Sequence, residues 1–192
     1  MMANMMRMAG RLVVLLLALL LLPCGAMADE RPAEWAQPVD ISGVPNLYRV
    51  AAGLYRSAQP TAAGMAELDI RGVRTLINLS PYRADGKLIE GTRLREVRIP
   101  VNLREIRDAQ VIAVLRHLKR AKDGPFLIHC ENGAERTGLM VAMYRIVVEG
   151  WRKERAIAEM ALGGYGQRVV WRNIVRYIGN VDVEKIRREV DA

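Results

Sequence analysis

Strands alternating with helices from residue 47 onward predict an α/β fold, a central and mainly parallel sheet flanked by helices. Three observations carry that prediction. Val73–Leu79 and Phe126–His129 are short runs rich in branched and apolar residues, the pattern of buried strands. Helical spacing lies between and after them, clearest in Val111, Ile112, Val114, Leu115 and Leu118. Cys130 closes the second run, at the carboxyl end of a strand, where sheets of this kind hold their working loops.

The elements follow in order. Residues 29–46, with Pro32, Pro38, Gly43 and Pro45, are expected as an extended lead into a domain covering 47–192. Leu47–Val50 and Gly53–Arg56 are expected to pair as a hairpin. Thr61 is a suitable N-cap for a helix carrying Met65, Leu68 and Ile70, which Gly72 ends. The strand Val73–Leu79 is followed by a polar loop, Ser80–Gly91, and a strand Arg95–Val101. Asp108 is expected to cap the next helix, before the central strand Phe126–His129. Helices are then predicted over 136–149, Lys153–Leu162, Arg172–Gly179 and Val183–Val190, with glycines at 150, 163 and 164 as stops.

The first 28 residues form a targeting segment. Arg7 and Arg11 precede an apolar run, Leu12–Leu22, and Ala26-Met27-Ala28 is a small-x-small cleavage site. That is the pattern of a secretory signal peptide, and a run of about eleven apolar residues is short for a span needing about twenty. Export to the periplasm or beyond, with cleavage after Ala28, is therefore expected, and Cys24 leaves with the leader. Cleavage lowers the formal net charge from +8 to +6, because the leader holds two arginines and no acid. A basic surface suits acidic, phosphorylated substrates. The basic residues are interleaved with acids and lack an aromatic ladder, so no nucleic-acid partner is expected. With two histidines in the chain and one cysteine after the leader, no metal cluster is expected either. The single thiol also excludes an internal disulfide in the mature chain, and leaves the fold dependent on its core.

The chemistry concentrates in His129-Cys130-Glu131-Asn132-Gly133-Ala134-Glu135-Arg136-Thr137-Gly138. A loop between a buried strand and a helix N-terminus can aim backbone N–H groups at an anion. Arg136 offers a planar fork for two phosphate oxygens. The same positive setting favours thiolate over thiol at Cys130, and Thr137 is placed to hydrogen-bond the sulfur. Gly133 and Gly138 permit turns and close approaches that a side chain would block.

His-Cys, five residues, then Arg-Thr-Gly resembles the signature loop of the cysteine-dependent protein tyrosine and dual-specificity phosphatases. Leu54-Tyr55-Arg56-Ser57-Ala58-Gln59-Pro60, the strand Val73–Leu79, Ala142–Val147 and Gly150-Trp151 are similar to segments of the secreted bacterial members, over roughly residues 35 to 180. Rhodanese-like sulfurtransferases also place a cysteine in an anion loop, but usually a shorter one. The resemblance implies hydrolysis of phosphotyrosine, and of phosphoserine or phosphothreonine, through a phosphocysteine intermediate and without a cofactor. Cys130 would be the nucleophile, Arg136 the catalytic cation, and 129–137 the phosphate loop. His129 would hold that loop through backbone hydrogen bonds, with Glu131 and Glu135 facing outward.

The resemblance leaves the general acid open. Arg104 stands where the family has an aspartate, in Pro100–Asp108. Glu105 beside it is the first candidate, Asp108 the second and Glu135 the third. A phosphate-recognising module of low turnover, or a lipid or inositol phosphate phosphatase, remain the alternative readings. The expected partner is a phosphorylated protein, such as the exported domain of a membrane protein, met by a monomeric enzyme.

Overall fold

The computed structural model describes residues 31–166 and 172–192; the predicted leader lies outside them. Six strands form one sheet: β1 (Gln37–Pro38), β2 (Tyr48–Ala51), β3 (Leu54–Ser57), β4 (Thr75–Asn78), β5 (Arg95–Arg98) and β6 (Phe126–His129). The spatial order is β1-β2-β3-β6-β4-β5. β3, β6, β4 and β5 run parallel, while β1 and β2 add an antiparallel edge. The expected mainly parallel α/β architecture is therefore present.

Both faces of the sheet are covered, which is why the central strands lack the polar alternation of a half-solvated sheet. On one face Leu76 and Leu127 pack with Met65 and Leu68 of α1 (Ala62–Ile70). On the other, Ile77 and Ile128 join a larger core with α2 (Asp108–Lys119), α3 (Glu135–Val147), α4 (Lys153–Leu162), α5 (Arg172–Asn180) and α6 (Val183–Asp191). Thr61 caps α1 as its sequence position predicts, accepting from the Gly64 amide at 3.1 Å. Asp108 does not cap α2. Arg107 holds the cap position and Asp108 is already helical, its carboxylate taken by Tyr177 Oη and Lys185 Nζ, both at 2.9 Å.

The lead is packed more closely than its proline content suggests. Gln37–Pro38 forms the edge strand, and Ala36, Ile41 and Val44 are buried. Its anchor is Glu159 of α4, whose Oε1 accepts from the Ala36 amide at 2.7 Å. Glu159 Oε2 pairs with Arg145 of α3 at 2.9 Å, and Arg145 also donates to the Glu34 carbonyl. Among the described residues no helix is long and apolar enough to cross a membrane.

Candidate active site

Register brings three strand ends level at the carboxyl edge of the sheet. Ser57 pairs with His129, and His129 with Asn78. Side chains alternate across a strand, so His129 shares the face of Leu127, whereas Cys130 falls on the face of Ile128. Cys130 is buried, 1% exposed, at the root of the loop that leads into α3.

The loop is braced from outside at three successive carbonyls. Glu131 O accepts from the Gln59 amide at 3.1 Å, Asn132 O from Asn46 Nδ2 at 2.9 Å, and Gly133 O from Arg56 Nη2 at 2.7 Å. A trans peptide is planar, with its N–H opposed to its C=O. Pinning these carbonyls outward therefore turns the amides of Asn132, Gly133 and Ala134 the other way, into the loop. Gly133 has φ +68°, and a Cβ there would meet Ser57 C and Ala58 N at 2.5 Å. Only glycine fits this crossing of the loop over β3.

Arg136 is fixed by one bond, Nε to the Val101 carbonyl at 2.9 Å. That bond orients the guanidinium plane at the wall of a cleft of about 640 Å³, lined by Pro81, Tyr82, Asn102, Leu103, Arg104, Asn132, Glu135 and Arg136. A buried thiol at the root of a loop whose carbonyls are pinned outward, with Arg136 six residues on at the wall of a cleft, is an arrangement suited to phosphoryl transfer. Among the described residues no cluster of His, Cys, Asp or Glu is placed to hold a metal.

A family model described as a DSP-PTPase phosphatase fused to NAD+ kinase matches residues 46–171. The dual specificity protein phosphatase TpbA of Pseudomonas aeruginosa strain UCBPP-PA14 is 41% identical over 162 residues, 83% of this chain and 72% of that protein. The chain belongs to the DSP-type cysteine phosphatases. Among solved structures of this family, P. aeruginosa TpbA superposes with a TM-score of 0.76 at 39% identity, covering 84% of this chain and 99% of that one. A cysteine-to-serine variant of TpbA in complex with phosphotyrosine gives 0.74 at 39% identity, over 84% and 98%. The catalytic core of the S. cerevisiae PP-IP phosphatase SIW14 shares the fold, with a TM-score of 0.70 at 19% identity over 79% and 94%.

Within this phosphatase site several expectations need correction. His129 does not hold the loop with its ring. Its Nε2 meets Asp85 Oδ2 at 2.8 Å and Nδ1 is buried without a hydrogen-bond partner among the described residues, because the ring lies on the opposite face from Cys130. Thr137 Oγ1 is likewise buried without a partner, so the expected bond to sulfur is not formed. Glu131 is exposed, 3.9 Å from Arg83, as expected of an outward residue. Glu135 is not outward: it lines the cleft.

The acid candidates separate clearly. Glu105 turns to its neighbour Arg107 at 2.6 Å and is not among the cleft residues. Asp108 lies in an adjoining groove of about 400 Å³ with Asn173, Arg176 and Tyr177. Its carboxyl is held below its ordinary pKa chiefly by the hydrogen bond from Lys185, which outweighs the opposing effect of burial, with a lesser contribution from the hydrogen bond from Tyr177. A carboxyl stabilised as the anion is a poor proton donor. Arg104 lines the cleft itself, its amide donating to Asn102 Oδ1 at 3.0 Å.

Three contributors escaped the sequence. Asp85 sits in the Ser80–Gly91 loop, yet it is fully buried between His129 and Gln59 Nε2, the latter at 2.8 Å. Tyr82 in the same loop is 81% exposed at the cleft. Arg56 is fully buried behind the phosphate loop. No local pattern marks Asp85 or Tyr82; Arg56 belongs to a stretch that had stood out without a role.

Proposed function

We propose that the chain is an exported phosphatase of phosphotyrosine proteins that works through a phosphocysteine at Cys130. The loop carries this reading: three carbonyls pinned outward leave a row of amides facing a phosphoryl group above the thiol. The Cys130 thiolate attacks phosphorus in line, forming S–P as the bond to the tyrosine oxygen breaks. The amides and Arg136 hold the equatorial oxygens as charge shifts. Water then attacks the phosphocysteine, releasing phosphate and restoring the thiol.

We assign delivery of the leaving-group proton to Glu135, the carboxyl that lines the cleft among the described residues. The Tyr82 ring at the rim suits the ring of a phosphotyrosine. The phosphotyrosine complex of TpbA supports that substrate, and the relative's dual specificity supports phosphoserine and phosphothreonine as further substrates. Arg7, Arg11 and the apolar run after them support export, which would place the substrate outside the cytoplasm, as in the exported domain of a membrane protein.

Hydrolysis of a phosphotyrosine peptide by the wild-type chain and by Cys130→Ser and Arg136→Lys variants tests the reading. Cys130→Ser is expected to be inactive yet still bind phosphate. Arg136→Lys is expected to be strongly impaired, since an ammonium cannot form the bidentate grip. Substantial turnover by Cys130→Ser contradicts the covalent route.

A further inference from the structure

Arg56 is an anomaly of burial. It is 0% exposed, and Nε and Nη1 meet no hydrogen-bond acceptor among the described residues. Its guanidinium lies over the Tyr165 ring, 3.5 Å from the centroid. Burying a cation without an anionic partner is expensive. Glu159, the acid that acts on it electrostatically, is already committed to Arg145, Tyr165 Oη and the Ala36 amide.

Its placement follows from β3. Leu54 and Arg56 share a face of the sheet, and Arg56 is in register with Ile128, two residues before Cys130. The guanidinium thus arrives beneath the phosphate loop, on the side of Cys130, where Nη2 donates to Gly133 O at 2.7 Å. The Gly133–Ala134 peptide is then aligned with its oxygen on the cation and its N–H turned into the loop. A cation on the oxygen end polarises the peptide and strengthens the N–H as a donor. Gly133's positive φ is what lets the peptide take this direction.

We propose that Arg56 is a positioning residue for phosphoryl transfer, acting through the Gly133–Ala134 peptide, and that the anion which balances its charge is the phosphoryl group held in the loop. The inference rests on the phosphatase reading of that loop. It accounts for a buried cation whose Nε and Nη1 have no acceptor among the described residues: its charge gains a further counter-charge when substrate is bound, and most when charge spreads over the equatorial oxygens. Burial holds the Arg56 pKa below its ordinary value, while Tyr165, Glu159, Cys130 and Tyr48 draw it back up.

The test compares Arg56→Met, which removes charge and donor, with Arg56→Lys, which keeps both without the planar fork. Phosphate affinity is read from the phosphate-induced rise in melting temperature, beside kcat and KM on an aryl phosphate. Arg56→Met is expected to bind phosphate roughly tenfold more weakly, equivalent to the loss of one charge-assisted contact. Its kcat is expected to fall by at least as much, because the contact strengthens in the transition state. Arg56→Lys is expected to retain both to within about threefold.

A folded Arg56→Met variant with wild-type phosphate affinity and kcat overturns the inference. So does an Arg56→Lys variant that loses as much as Arg56→Met, since shape and not charge would then be decisive. If Arg56→Met does not fold, Arg56→Lys decides alone: a tenfold loss of phosphate affinity with an unchanged melting temperature is the overturning result. Failure of the wild-type chain to bind phosphate or turn over would instead strike the phosphatase reading, so the two failures are distinguishable.

Discussion

At the scale of single residues, the site depends on where backbone is allowed to go. Gly133→Ala adds a Cβ 2.5 Å from the Ser57 and Ala58 backbone at a φ of +68°, and no flexible side chain is there to yield. The variant is expected to lose at least about 1–3 kcal/mol of stability, and most of its activity because the loop amides turn away. Near-normal turnover, read on an aryl phosphate, would show that the loop tolerates the shift. Glu135→Gln should slow hydrolysis of a phosphotyrosine peptide by roughly 10²–10⁴-fold, while an aryl phosphate with a strongly acidic leaving group is much less affected. Glu105→Gln should leave both rates near wild type, because Glu105 is turned to Arg107. If Glu105→Gln instead gives the leaving-group-dependent loss, the 102–107 loop closes over substrate and Glu105 is the acid. Cys130 and Arg136 were legible at this scale because their spacing is itself the motif. Asp85 was not, because its burial is decided by Asn78 and Glu96, which hold the loop around it: Glu96 Oε1 accepts from Asn78 Nδ2 at 2.8 Å and from the Asp85 amide at 2.9 Å.

At the scale of elements, period and punctuation gave the order of strands and helices in the chain. Thr61 before α1 and Gly150 after α3 are local signals whose physics needs no tertiary partner. Asp108 shows where that logic stops. A helix-start aspartate suits a cap, yet here Tyr177 and Lys185 from two later helices claim its carboxylate, tying α2 to α5 and α6. Sequence spacing of 69 and 77 residues hides those partners. The carboxyl's pKa is depressed, so its stabilising effect is present above the unfolded-state value near ~4 and is lost as pH falls through the lower folded value. Asp108→Asn is accordingly expected to lower the melting temperature by about 2 °C at neutral pH. That gap should close as the medium becomes strongly acidic, with little change in activity throughout. A gap that stays constant across the acid range would mean that the charge of Asp108 is not what joins the three helices.

At the scale of the whole molecule, the phosphate loop is held by parts distant in sequence: Asn46 from the lead into β2, Arg56 and Gln59 around β3, and Val101 after β5. The lead in turn is anchored by the buried Glu159–Arg145 pair. Glu159→Gln takes the carboxylate from Arg145 but leaves its second partner, Glu149 at 2.7 Å, so a loss of about 1–3 kcal/mol is expected, read by denaturant unfolding. A loss under about 1 kcal/mol would show that α3, α4 and the lead are held by packing alone. All of these supports converge on one thiol, and the central claim is that it takes the phosphoryl group. Rapid acid quench of the chain with a radiolabelled phosphotyrosine peptide, followed by mapping of the labelled fragments, tests this directly. The account predicts label on the fragment containing Cys130 within the first turnover and none in the Cys130→Ser variant; release of phosphate with no label ever found on Cys130 would contradict it.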